Sequence, residues 1–111
     1  LISAYAGVTQ PATFGRVGAM SPSTWWDGRV LLSTVASTAA APARPLSVYV
    51  DCGTVDDGQA DTTDLAAAYR ALGYQDGTTL TFVVQQGGQH DETSWRQRLP
   101  GAFRFLLGPG R

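Results

Sequence analysis

The sequence is poor in several residue types on which particular classes of protein depend. Only one of its 111 residues is a cysteine, so neither an internal disulfide nor a cysteine-based metal site can form. There is no lysine: all eight basic residues are arginines, and nine acidic residues bring the net charge to -1. A nucleic-acid-binding surface needs a basic face, which this balance does not predict. The apolar stretches are too short to cross a bilayer, so no membrane partner is expected.

What remains is typical of a globular protein. Hydrophobic residues make up 43% of the chain, and its length suits one compact domain rather than two. Cys52 ends an apolar run and is expected to be buried and unreactive. The chain opens on an apolar helical segment with no N-cap residue or turn before it, which predicts that it starts inside a larger domain.

Hydrophobic periodicity predicts four helices that alternate with three strands. Helices are expected at residues 1–8, 27–37, 62–72 and 92–107, and strands at 14–20, 46–52 and 80–84. The segment 37–44, rich in Ala, Ser, Thr and Pro, is predicted to be a surface connection. Regular alternation indicates an α/β fold with a mostly parallel sheet and helices on both faces.

The last two helices have predicted apolar faces. In the third, Gly73 suits the C-cap and the face comprises Leu65, Ala68, Tyr69 and Leu72. In the fourth, the expected apolar side comprises Trp95, Leu99, Phe103, Leu106 and Leu107, with Trp95 in the core. Pro100 lies inside this helix and is expected to kink or restart it.

Chemistry in parallel sheets lies at the carboxyl ends of the strands, which directs attention to the loops 21–27, 53–61 and 85–92. The second loop contains Asp56 and Asp57, and the third contains His90. A carboxylate and a histidine at neighbouring strand ends suit an acid–histidine pair, in which the acid fixes the imidazole tautomer. Their order, acid before histidine, matches the chain order of α/β-hydrolases.

Three segments, residues 14–26, 48–54 and 87–95, carry a more specific likeness, continued by residues 99–100 and 103–107. Together they resemble the esterase family of α/β-hydrolases that includes enterochelin esterase-like, feruloyl esterase-like and esterase D-like proteins. The resemblance implies the C-terminal portion of that fold and carboxylic-ester hydrolysis. It assigns the histidine of a Gly-Gly-x-His turn to His90 and the acid to Asp56, with Asp57 as the adjacent alternative. Trp25 and Trp26 would form an aromatic wall for the substrate.

The family's nucleophile lies in a Gly-x-Ser-x-Gly-Gly elbow, and no Gly-x-Ser-x-Gly occurs in these 111 residues. The expectation is therefore a partial domain that lacks the N-terminal strands and the elbow and has no serine-esterase turnover by itself. Its uncovered strand edge predicts a partner: a complementary N-terminal chain, a second copy or a fusion segment. No cofactor is implied, and the acids beside His90 lack the spacing of a metal site.

Two other functions remain open from the sequence. The chain could be a non-catalytic binding module on the same fold, in which the acid and the histidine are inherited. It could also belong to an acyltransferase or a peptidase, because one fold supports several reactions of an acyl-enzyme.

Overall fold

The computed structural model describes residues 1–38, 45 and 47–109. Helices α1 (Ile2–Thr9), α2 (Trp26–Ser37), α3 (Gln59–Ala71) and α4 (Glu92–Leu107) alternate with strands β1 (Arg16–Met20), β2 (Ser47–Gly53) and β3 (Leu80–Gln85). The predicted order of helices and strands is confirmed. Most of the predicted surface connection at 37–44 lies outside the described residues.

The three strands form one parallel sheet in the order β1-β2-β3. Val50, in the middle of β2, is aligned with Ala19 of β1 and with Phe82 of β3. Every residue of β2 is buried, as expected for a central strand covered on both faces. The carboxyl ends of all three strands therefore meet at one edge of the sheet, and the predicted α/β class is confirmed.

Helices cover both faces of the sheet. The larger core joins α1, α2 and α3 to one face, and its fully buried members include Ala4, Val35, Val48, Val50, Leu65, Tyr69 and Leu80. On the other face α4 packs Ala102 and Leu106 against Tyr49 of β2. Within the described ranges, no helix combines the length and apolar character needed to cross a bilayer.

The face that α4 turns inward differs from the predicted one. Leu99, Phe103 and Leu107 are 37%, 54% and 66% exposed. The buried residues are instead spaced four apart: Ser94, Arg98, Ala102 and Leu106. The prediction is confirmed for Leu106. It was wrong for the three exposed residues because it placed only apolar side chains inside, whereas Arg98 is buried among polar partners described below.

Pro100 does not restart α4, which is continuous from Glu92 to Leu107. Pro100 is exposed, so the helical hydrogen bond that its ring removes is lost on the hydrated side of the helix.

Gly7 sets how closely α1 approaches β1. A Cβ atom at this position would lie 2.2 Å from Cγ2 of Val17 and 3.2 Å from Cγ of Pro45. Gly101, in α4, is a matched contrast because no heavy atom outside its own helix lies within 4 Å of such a Cβ.

We expect Gly7→Ala to lower the free energy of unfolding by about 1–3 kcal/mol, since the clash with Val17 outweighs the helix propensity of alanine. Gly101→Ala should raise it by about 0.5–1 kcal/mol through propensity alone. Urea denaturation of the two variants measures both values. Equal changes in the two would contradict the close packing of α1 on β1.

Candidate functional site

Polar side chains from all three strand ends converge at the carboxyl edge of the sheet. Ser21 directly follows β1, Asp57 lies in the loop between β2 and α3, and His90 lies in the loop between β3 and α4. These are the three loops to which the sequence pointed.

His90 and Asp57 form a hydrogen-bonded pair. The distance from Nδ1 of His90 to Oδ1 of Asp57 is 2.7 Å. The Asp57 side chain is fully buried, whereas that of His90 is 50% exposed. Because an ionised carboxylate can only accept, Nδ1 carries the hydrogen in this pair and Nε2 is available as a base.

Asp57, not Asp56, makes this contact, although Asp56 was the preferred candidate for the acid. Asp56 has a left-handed backbone with φ of 48° and is exposed. This conformation turns the chain so that the next side chain faces inward. The sequence supplied both carboxylates, but the choice between them depended on a backbone turn at Asp56 that apolar periodicity does not predict.

The other carboxylate oxygen of Asp57 is held from two sides. Oδ2 accepts a hydrogen bond from the hydroxyl of Ser21 and another from the backbone N–H of Gly53, both at 2.6 Å. Nη2 of Arg98 lies 3.7 Å from the same oxygen. Asp57 is therefore fixed on one side by two hydrogen-bond donors, with the Arg98 guanidinium beyond them, and presents its other oxygen to His90.

Ser21 is buried and has a left-handed backbone with φ of 43°. Its hydroxyl oxygen accepts hydrogen bonds from Nη2 of Arg98 at 2.6 Å and from Nε1 of Trp95 at 3.0 Å. Its backbone N–H donates to the Asp51 side chain at 3.0 Å. Ser21 thus connects α4 to the ends of β1 and β2.

Arg98 and Asp51 form a buried ion pair beneath this network. Nε of Arg98 lies 3.0 Å from Oδ2 of Asp51 but outside hydrogen-bonding alignment, so the contact is ionic. Tyr49 donates to the same oxygen at 2.9 Å, and Nη1 of Arg98 donates to the Gln85 side chain at 2.7 Å. Each charged group therefore has partners that offset its burial.

Burial alters the ionisation of groups around the pair. It raises the pKa of the Asp51 carboxyl, opposed by the Arg98 charge and by the donors Ser21 and Tyr49. Burial, with the Asp51 charge beside it, also raises the pKa of the Tyr49 hydroxyl. Tyr49 is therefore a neutral donor at any physiological pH.

Cys52, which is buried at the end of β2, takes no part in the network. Burial, together with the charges of Asp57 and Asp51, raises the pKa of its thiol to about 11. The thiol is therefore neutral near pH 7, which fits the expectation of an unreactive side chain. In the described part of the chain, no three His, Cys, Asp or Glu side chains cluster closely enough to hold a metal ion.

The two tryptophans predicted to flank the substrate lie in different places. Trp25 is 60% exposed and lines a cavity of about 310 Å³ with His90 and Asp57. Trp26 lines a separate, apolar hollow beside α1. Trp95, predicted to be a core residue, instead packs edge-on against the His90 ring, with ring centroids 5.0 Å apart.

Close backbone contacts hold the loops that carry the acid and the histidine. The N–H of Val55 donates to the Gly88 carbonyl at 3.0 Å, and that of Thr54 donates to the Gln85 carbonyl at 3.1 Å. Asp91, the residue after His90, caps α4 by accepting from the Ser94 N–H at 2.8 Å. His90 is therefore held between a loop tied to its neighbour and a capped helix.

Sequence reasoning missed Ser21 and Arg98 as members of the site. The sequence directed attention to the loop 21–27 but assigned no role to Ser21 within it, and Arg98 was not considered. The signal that could have identified Arg98 was its spacing: it lies four residues from Ser94 and four from Ala102, which are small residues on the inner face of α4.

Comparison with known proteins agrees with this architecture. The family model described as "Putative esterase" matches residues 1–106. The enterobactin esterase of Shigella flexneri, solved in the presence of enterobactin, has 26% identity and a TM-score of 0.77, over 96% of this chain and 27% of that one. A siderophore hydrolase of Aspergillus nidulans has 18% identity and a TM-score of 0.64, over 98% of this chain and 46% of that one, and shows the likeness of fold alone. The chain thus spans less than half the length of either structure. A search of curated protein sequences finds no significant match.

Gly53 is the position on which the spacing of the two loops depends. A Cβ atom there would lie 2.0 Å from the carbonyl oxygen of Gly88, and backbone cannot yield as a flexible side chain can. At Gly18, another strand glycine, the nearest atom is Cδ1 of Leu106 at 3.2 Å, which can rotate away.

We expect Gly53→Ala to lower the free energy of unfolding by about 3 kcal/mol and to separate His90 from Asp57. Gly18→Ala should cost about 1 kcal/mol or less. Denaturation curves measure the stability of both variants. The NMR signal of the hydrogen-bonded Nδ1–H of the single histidine reports whether His90 has separated from Asp57. A folded Gly53→Ala variant with that signal unchanged would contradict the close approach of the loops.

Proposed function

Because this chain belongs to the family described as "Putative esterase", we propose that it supplies the acid and the histidine of a serine-esterase site. Asp57 is the acid and His90 is the base. The observation that carries the proposal is the 2.7 Å contact between Oδ1 of Asp57 and Nδ1 of His90 at the carboxyl edge of a parallel sheet.

Three features of the pair suit acid–base chemistry. Asp57 is buried and held by donors, so its position is defined before a substrate arrives. His90 is half exposed and lines a cavity that a substrate can enter. Trp95 packs against the His90 ring, which limits rotation of the imidazole.

The reaction that these residues suit is hydrolysis of a carboxylic ester through an acyl-enzyme. Nε2 of His90 takes the proton of a serine hydroxyl as that oxygen attacks the ester carbonyl. Asp57 stabilises the imidazolium that forms, and His90 then returns the proton to the leaving alcohol. In the second half of the cycle His90 activates water in the same way, and the acid product leaves.

The nucleophile in this proposal comes from outside these 111 residues. In the described part of the chain, the only hydrogen bond of the His90 ring is to Asp57, and no serine hydroxyl meets Nε2. The nearby hydroxyl, that of Ser21, donates to the acid instead. The absence of any Gly-x-Ser-x-Gly sequence supports the same conclusion.

We further propose that the segment carrying the serine pairs with β1. Among the described strands, β1 lies at the edge of the sheet with β2 as its single neighbour. Two large apolar side chains nearby are exposed, Ile2 at 72% and Phe14 at 48%. A strand added at this edge would bury them and extend the parallel sheet.

Substitution of the two neighbouring carboxylates tests the assignment of the acid. In the complete gene product, Asp57→Asn should lower kcat for p-nitrophenyl acetate by about 10⁴-fold, because an amide stabilises the wrong imidazole tautomer. Asp56→Asn, which alters only the cavity wall, should change kcat/KM by about tenfold at most. The reverse ranking would assign the acid to Asp56. Enterobactin is a second substrate to test, given the structural likeness reported above.

Labelling with a fluorophosphonate probe tests the source of the nucleophile. We expect no label on the 11.7 kDa chain alone, and one label on a serine of the complete gene product, with both read by intact mass. His90→Ala in the complete product should abolish the label. A label on the 111-residue chain that depends on His90 would overturn the proposal that the serine lies elsewhere.

A further inference from the structure

We propose that Ser21 is a positioning residue, whose hydroxyl holds Asp57 in the one orientation that keeps the Nδ1–H tautomer of His90. This inference rests on the proposed function for its catalytic consequence. Its structural basis lies in three independent observations on Ser21: its hydrogen bonds, its backbone and its burial.

The direction of the Ser21 hydroxyl hydrogen follows from its partners. A hydroxyl has one hydrogen to donate and two lone pairs that accept. Both acceptor positions are taken by groups that can only donate, Nη2 of Arg98 and Nε1 of Trp95. The hydrogen must therefore point at Oδ2 of Asp57, 2.6 Å away. Trp95 and Arg98 of α4 thus set the direction of the hydrogen bond that Ser21, after β1, donates to Asp57, after β2.

That hydrogen bond controls the other side of the carboxylate. With Oδ2 held by Ser21 and by the Gly53 N–H, the carboxylate plane is fixed and Oδ1 faces Nδ1 of His90. Loss of the Ser21 donor leaves Gly53 as the only hydrogen bond on that side. The carboxylate can then rotate toward the Arg98 guanidinium, now 3.7 Å away, and Oδ1 leaves His90.

The backbone of Ser21 is strained in a way that its side chain explains. A φ of 43° is a left-handed conformation that costs a residue with a Cβ of the order of 1 kcal/mol or more, and such strain concentrates at functional sites. Glycine would adopt the same conformation without that cost. A purely structural turn would therefore suit glycine better, whereas the hydroxyl requires serine.

This contrast yields a variant that separates the two roles. Ser21→Gly relieves the strain and removes the hydroxyl. Asp27→Gly is the matched control, because Asp27 also has a left-handed backbone, with φ of 48°, is exposed, and lines the hollow beside α1 rather than the cavity of His90. Trp95→Phe is a second probe, since it keeps an aromatic ring but frees one acceptor position on the Ser21 oxygen.

The first measurement is the tautomer ratio of His90 in the 111-residue chain, read from ¹⁵N chemical shifts of its only histidine. In Ser21→Gly the ratio of the Nδ1–H to the Nε2–H form should fall about tenfold or more, because that fold-change corresponds to the loss of one hydrogen bond to a charged group. Trp95→Phe should shift it in the same direction by about threefold, and Asp27→Gly should leave it unchanged. A folded Ser21→Gly variant with the wild-type ratio overturns the proposal. If that variant does not fold, an unchanged ratio in Trp95→Phe overturns it.

The second measurement is ester hydrolysis by the complete gene product. Ser21→Gly should lower kcat about tenfold or more and leave KM within about twofold, because substrate does not contact the buried hydroxyl. If hydrolysis by the wild type depends on His90 and the kcat of Ser21→Gly equals that of the wild type, the positioning role is also overturned. If the wild type shows no His90-dependent hydrolysis while the tautomer ratio still shifts, the proposed function fails and the positioning of Asp57 by Ser21 stands.

Discussion

The ion pair between Asp51 and Arg98 is the interaction on which the arrangement of the strand ends depends. Both side chains are almost completely removed from water, and a charge buried without a partner would cost several kcal/mol. Asp51 belongs to the central strand, so Arg98 must enter over the sheet from α4. That requirement determines which side of the helix faces inward, and it brings Ser21 and Trp95 into contact.

The pair also leaves a specific charge at the site. Asp51 and Arg98 offset one another at 3.0 Å, whereas Asp57 lies farther from the guanidinium, at 3.7 Å. Asp51, Arg98 and Asp57 together carry one net negative charge. Oδ1 of Asp57, which does not face Arg98, contacts His90. A proton on His90 would bring the four groups to neutrality, which suits the imidazolium of the proposed reaction.

The fold could be predicted because it depends on local pattern, and the site could be predicted only in part. Alternation of apolar segments and turns identified every helix and strand that the structure describes, and the strand-end rule identified the three loops that meet. The face of α4 was predicted wrongly because apolar periodicity carries no information about a buried arginine and its distant acid. The choice between Asp56 and Asp57 depends on one left-handed residue, and the role of Ser21 depends on donors 74 and 77 positions away.

The contact between Gly53 and Gly88 has a consequence for how this protein can vary. The two backbones approach so closely that no side chain fits between them, and the two residues after Gly53, Thr54 and Val55, donate hydrogen bonds to the carbonyls of Gln85 and Gly88. The lengths of the loops that carry Asp57 and His90 are therefore coupled, and an inserted residue in one requires a compensating change in the other. The region most open to diversification is the turn around Trp25, which is exposed and belongs to neither loop.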